Sequence, residues 1–215
     1  GSTVSVTLNG QAVLGTIFNA IAVDGDFGLL ASNTSASFDD FTVKTDDPAL
    51  GAASGSAMRA AGPDARPGAA ETVTQAQLDT ITAAAVSNWT ETLGVGDPRL
   101  AALSDAQVTI ADLAGNALGY AEGQTVTVDV DGAGYAWFRD LSRQSSGEFV
   151  VGGDGTVLTA TPDSEAYGRM DLLTVVTHEL GHLLGLDHDD DSSFGVMDHM
   201  LAAGSRYLIP DSGTA

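Results

Sequence analysis

The 215 residues carry 8 Lys and Arg against 29 Asp and Glu, a formal charge of −21, with no cysteine and 43% apolar residues. The missing cysteine excludes disulfide scaffolds, thiolate metal sites and cysteine nucleophiles, and the charge opposes binding to nucleic acid or to anionic membranes. No apolar run nears the roughly 20 residues of a membrane span, while the apolar fraction supplies a core that needs no staples.

Residues 1–47 read as β-structure. Val4, Val6 and Leu8 alternate with Thr3, Ser5, Thr7 and Asn9, and Asn9-Gly10 and Asp24-Gly25 are hairpin turn signals. On the run Phe38-Asp39-Asp40-Phe41-Thr42-Val43 the segment resembles the closing strands of a concanavalin-like or laminin-G-like β-sandwich. The alternative is a β-appendage packed on the rest of the chain. Residues 48–71 hold Gly, Pro and small residues without periodicity, from Pro48 through Gly62-Pro63 to Pro67-Gly68, which predicts a flexible linker.

Residues 72–215 form the remaining domain. Leu78, Ile81, Ala85 and Trp89 make one apolar stripe behind Thr74 as N-cap, predicting a helix that stops near Gly94. Residues 107–111 and 125–130 alternate as strands. A second helix is predicted from Asp171, as N-cap, to Leu184, ending at Gly185. Trp89, Trp137 and Phe138 are expected in the core.

That second helix carries His178-Glu179-Leu180-Gly181-His182, followed by Gly185 and His188. His178 and His182, at i and i+4, share a helix face and can both reach one Zn²⁺ at about 2.0–2.1 Å. Gly185 permits a left-handed turn that brings His188 in as a third ligand. Three protein ligands leave a fourth position for water, the arrangement of a catalytic zinc. Glu179, offset around the helix, is placed to act as general base on water that the zinc activates.

These residues resemble the signature of the metzincin zinc endopeptidases, HExxHxxGxxH followed by a Met-turn, and the wording HELGHLLGLDH is most similar to matrixins and to matrixin-like modules of bacterial secreted or surface proteins. The resemblance implies an α+β catalytic domain, with a twisted mixed sheet, a backing helix, an active-site helix and Met197 beneath the metal; Met200 is the competing Met-turn residue. Asp189 departs from the Ser or Pro of known subfamilies. His199, two residues past Met197, is expected at the rim rather than on the zinc. No further histidines remain for a second zinc, and a cysteine latency switch is impossible; Asp46 or Asp47 is the candidate for such a role.

Peptide substrates are expected to add as a strand along an edge strand at Ala117–Ala121, through Leu118, Gly119 and Tyr120, with Tyr207 in the wall of the pocket beyond the cut bond. Calcium is expected as a second, structural cofactor at Asp129, Asp131 and Asp154, which lie in Gly-rich loops. The expected function is a secreted or cell-surface zinc endopeptidase, bacterial and monomeric, acting on protein or peptide substrates, without nucleic-acid partners or membrane insertion. The alternatives are a self-processing module cut within residues 48–71, and a zinc-stabilised binding or adhesion module. Retention of the general base Glu179 weighs against the last.

Overall fold

The structure, a computed structural model, describes residues 2–8, 11–18, 57–62, 71–141, 147–152, 155–188 and 194–209. The chain divides into two units, Gly1–Thr42 and Val43–Ala215. In the first unit, β1 (Ser2–Leu8) and β2 (Gln11–Phe18) pair antiparallel, with Leu8 opposite Gln11. The two-residue Asn9-Gly10 connection predicted this hairpin. The Asp24-Gly25 turn and the Phe38–Val43 run, which carried the sandwich resemblance, lie outside the described residues.

The second unit is built on a five-stranded mixed sheet. Its strands are β3 (Ala57–Ala61), β4 (Gln107–Ala111), β5 (Ala117–Glu122), β6 (Thr125–Asp129) and β11 (Met200–Ala202), in the order β11-β3-β5-β6-β4. β3 runs antiparallel to β5 and parallel to β11. Part of the expected linker is therefore a strand. Ala, Met and Arg prefer helix to strand, so residues 57–61 owe their conformation to two neighbouring strands that offer unpaired backbone groups.

Two helices pack on this sheet. α1 (Gln75–Leu93) starts at Thr74, whose hydroxyl accepts from the Gln77 amide while the Gln77 side chain accepts from the Thr74 amide, a capping box. Its predicted stripe of Leu78, Ile81, Ala85 and Trp89 is fully buried. A short α2 (Ala101–Ser104) precedes β4. α3 (Leu172–Leu183) packs on α1, β5 and β6. The Trp89 indole N–H donates to the Thr177 carbonyl at 2.8 Å and fixes the two helices together. The main core gathers these faces around Leu118, Val126, Val128, Leu172, Val176 and Leu180.

A smaller antiparallel sheet completes the unit: β8 (Phe149–Val151), β9 (Val157–Ala160) and β12 (Ser205–Tyr207), in the order β12-β9-β8. Between the sheets, β7 (Trp137–Phe138) pairs parallel with β10 (Met170–Asp171), the strand that leads directly into α3. No helix among the described residues is long and apolar enough to cross a membrane.

Candidate active site

The site begins with how α3 is started and stopped. At its N-terminus the Asp171 carboxylate accepts from the Thr174 amide at 3.0 Å and the Thr174 hydroxyl at 2.6 Å, the predicted cap. The same carboxylate forms a buried ion pair with Arg206, whose Nε lies 3.0 Å and Nη2 2.7 Å from it. The Arg206 guanidinium also lies over the rings of Phe138 and Phe149 at 5.4 and 5.0 Å. At the C-terminus Gly185 takes φ +85°, and the Gly185 and Leu186 amides donate back to the His182 and Gly181 carbonyls at 3.0 and 3.1 Å. That is a Schellman turn, and it reverses the chain toward His188.

The reversal completes a metal-ligand set. The Nε2 atoms of His178, His182 and His188 lie 3.1 Å from one another. Among the described residues these three form the one group of three or more His, Asp or Glu side chains that converge within 4.8 Å. Two rings are oriented from behind: Nδ1 of His178 faces the Val196 carbonyl at 2.8 Å, and Nδ1 of His182 faces the Leu186 carbonyl at 2.9 Å. A carbonyl can only accept, so each Nδ1 carries the proton and each Nε2 presents its lone pair to the centre. Burial, followed by the neighbouring imidazoles, pushes the His178 pKa down to about 3, and burial lowers that of His182. The rings are therefore in the neutral, ligating form. Converging lone pairs repel unless a cation lies between them. Three neutral imidazole nitrogens converging this closely would hold a Zn²⁺ ion, whose usual ligands include histidine nitrogen.

Beneath the triad runs the turn Gly195–Met197. It supplies the Val196 carbonyl that orients His178, and it buries Met197 against α3 so closely that a Cβ on Gly181 would meet the Met197 sulfur at 2.5 Å. Met200, the competing Met-turn residue, lies in β11 instead. His199 is largely exposed, its ring centroid 5.8 Å from that of His188, and its carbonyl accepts from the Arg59 amide at 2.8 Å.

Glu179, the residue after His178, is fully buried. Its Oε1 accepts from the Met58 amide at 3.1 Å, and its Oε2 is, among the described residues, the buried side-chain polar atom without a hydrogen-bond partner. Burial raises its pKa well above the ordinary carboxylate range, and the Met58 N–H opposes that rise. Gly119 makes room for it: a Cβ there would lie 3.0 Å from Val175 Cγ1 and 3.1 Å from Glu179 Cγ.

The expected substrate strand forms at Ala117–Glu122, with Leu118 buried and Tyr120 half-buried. It is not an edge. β6 pairs with one side of it, and residues 57–61 pair with the other, where a substrate strand was expected. Tyr207 packs against the core cluster, with its hydroxyl donating to the Met200 carbonyl at 3.0 Å. Sequence reading missed Met58 and Arg206, both of which reach the site from distant parts of the chain. A short small-residue run and a lone arginine gave no local signal for either.

The calcium expectation finds no ligand cluster among the described residues. Both Asp129 oxygens are already occupied: Oδ1 accepts from the Leu113 amide at 2.8 Å, and Oδ2 from the Asp131 and Ala133 amides at 3.1 and 2.7 Å. Asp131 accepts from the Gly134 amide at 2.7 Å. Asp154, like Asp46, Asp47 and Asp189, lies outside the described residues.

Comparison with known proteins gives one positive result: the family model for matrixin, a peptidase family, matches residues 68–208. No curated protein and no solved structure matches the chain.

Proposed function

Because the chain belongs to the matrixin family of zinc metallopeptidases, we propose that it is an endopeptidase of extracellular proteins in which Glu179 is the general base. The observation that carries this reading is three converging imidazole nitrogens together with a fully buried carboxylate, one oxygen unpartnered, on the residue that follows the first of those histidines. His178, His182 and His188 would hold the zinc. When bound, zinc supplies a Lewis acid that polarises a substrate carbonyl and makes water acidic enough to attack near neutral pH.

The chain's own residues do the rest. Glu179 Oε2 is free to take a proton from attacking water, and Oε1 already touches a backbone nitrogen, the atom that must receive a proton when a peptide bond breaks. β5 and β11 offer the backbone ladders that hold an extended peptide on both sides. Gly119, lacking a side chain, leaves the acid room against β5. The acidic composition suits a secreted protein that must remain soluble, and the matrixin-like modules that the motif resembles are secreted or surface-borne.

The test is Glu179→Gln in the full chain. It should retain one zinc per chain by metal analysis while losing casein hydrolysis by about 100-fold or more, the usual worth of a positioned general base. Equal rates for variant and parent would refute the assignment.

A further inference from the structure

The strand on the side of β5 where a substrate was expected is a segment of the protein itself, β3, held between β5 and β11. β3 is bonded on both flanks: the Arg59 amide donates to the His199 carbonyl and the Ala60 amide to the Asn116 carbonyl, each at 2.8 Å. The Arg59 guanidinium and the Ala60 carbonyl both bond the Asn116 side chain, at 3.0 and 3.1 Å. This is strand addition as a bound peptide performs it, carried out by residues more than 110 positions before Glu179.

One peptide bond in this strand is singled out. The Met58 nitrogen is the backbone atom that donates to Glu179 Oε1. The Ala57 carbonyl carbon is joined to that nitrogen at about 1.33 Å, so Ala57–Met58 is the bond set against the acid. The residue after it is anchored: Met58 is fully buried in the main core, in the same cluster as Leu173, Val176 and Leu201. Met58 stands opposite Gly119 in the ladder, the residue whose missing side chain leaves room for Glu179.

We propose that Ala57–Met58 is a bond this protease hydrolyses in its own chain, and that the uncut strand blocks the cleft against other substrates until then. The proposal rests on the endopeptidase reading and narrows it to one bond. In the step, the oxygen of water adds to the Ala57 carbonyl carbon. Glu179 takes the water proton and delivers it to the Met58 nitrogen as the C–N bond breaks. The second proton of the water passes from the new carboxyl group to the amine, so the products are a carboxylate on Ala57 and an ammonium on Met58, with nothing oxidised or reduced. Cutting there severs the β1–β2 hairpin unit from the domain that carries the triad. It also states a preference for other substrates: a small residue before the cut and a long, flexible apolar one after it.

The experiment follows the zinc-loaded full chain by intact mass and N-terminal sequencing, with casein as an added substrate. The parent should yield a fragment beginning at Met58, at a first-order rate unchanged over a tenfold range of protein concentration, and casein hydrolysis should rise as that fragment accumulates. Glu179→Gln should stay whole. Met58→Leu, which keeps the apolar anchor, should be cut within about tenfold of the parent rate, since Met and Leu interchange with little cost. Met58→Asp should lose this cut by at least about 100-fold and hydrolyse casein without a lag, because a charge is not tolerated in that core. Hydrogen exchange gives a readout independent of catalysis: the Arg59 and Ala60 amides should be protected in Glu179→Gln and exchange rapidly once Met58→Asp is added. Full casein hydrolysis with the Ala57–Met58 bond intact, or a cut at another bond in its place, overturns the proposal and leaves the endopeptidase reading standing. A zinc-bound chain that cuts neither itself nor casein overturns both.

Discussion

Asp171→Ala removes in one step the cap of the active-site helix and the anion of a buried ion pair. The carboxylate accepts four hydrogen bonds, two from Thr174 and two from Arg206, and both ionic side chains are within 1–2% of full burial. An N-cap alone is worth about 0.5–2 kcal/mol. Removing one partner of a buried pair costs about 3–5 kcal/mol, because the other charge loses its counter-ion without regaining water. One carboxylate serves both roles, so the two figures overlap, and the expected loss is about 3–5 kcal/mol. For a domain of this size each kcal/mol moves Tm by about 2–4 °C, which gives a fall of about 6–20 °C. Calorimetry in the Glu179→Gln background keeps self-cleavage out of the measurement. Asp171→Asn, which keeps an acceptor but no charge, should lose less than Asp171→Ala. Combining Asp171→Ala with Arg206→Met should cost about 1–3 kcal/mol less than the sum of the two single changes, since the pair is coupled. A loss of about 1 kcal/mol or less for Asp171→Ala, or strict additivity in the double variant, would refute the reasoning.

Four further outcomes follow from the site. Gly119→Ala places a methyl group 3.0–3.3 Å from Val175 and Glu179; zinc content should be unchanged while peptide hydrolysis falls about 10- to 100-fold through displacement of the acid. Gly181→Ala drives a methyl group into the Met197 sulfur and the Trp89 ring, and thermal unfolding should show a loss of about 1–3 kcal/mol, the usual cost of overpacking. In zinc-free protein, burial depresses His178 from 6.5 to about 3, so the unfolded chain takes up the proton first. Stability measured by urea unfolding should be insensitive to this group above about pH 6.5 and fall progressively between about pH 6.5 and 3. Zinc at 1,000 times its dissociation constant should add about 4 kcal/mol, seen as a matching rise in the urea midpoint at neutral pH.

The two helices and their caps were legible because their signals are local. Thr74 and Gln77 sit three residues apart, Asp171 immediately precedes an apolar run, and Gly185 follows the last turn; each is satisfied by backbone groups within its own helix end. Parallel and mixed strand pairing is decided elsewhere. Ala57–Ala61 has no period of two and no β-branched residue, so the sequence alone reads it as linker, and the strand exists because β5 and β11 stand a strand's width apart with unpaired amides and carbonyls between them. The same insertion moved β5 from the edge, where a substrate was expected, to the interior.

The convergence of the three imidazoles was therefore legible in the sequence: two of them one helical turn apart, and a glycine that turns the chain back to the third. The 3.6-residue period and a left-handed turn fix those relations within 11 residues. What lies against Glu179, and what holds the N-terminus of its helix, were settled only by tertiary structure. Met58 meets Glu179 across 121 positions and Arg206 meets Asp171 across 35. No local rule spans such distances, because these contacts become favourable only once the sheet and core have brought the groups together and removed the water between them.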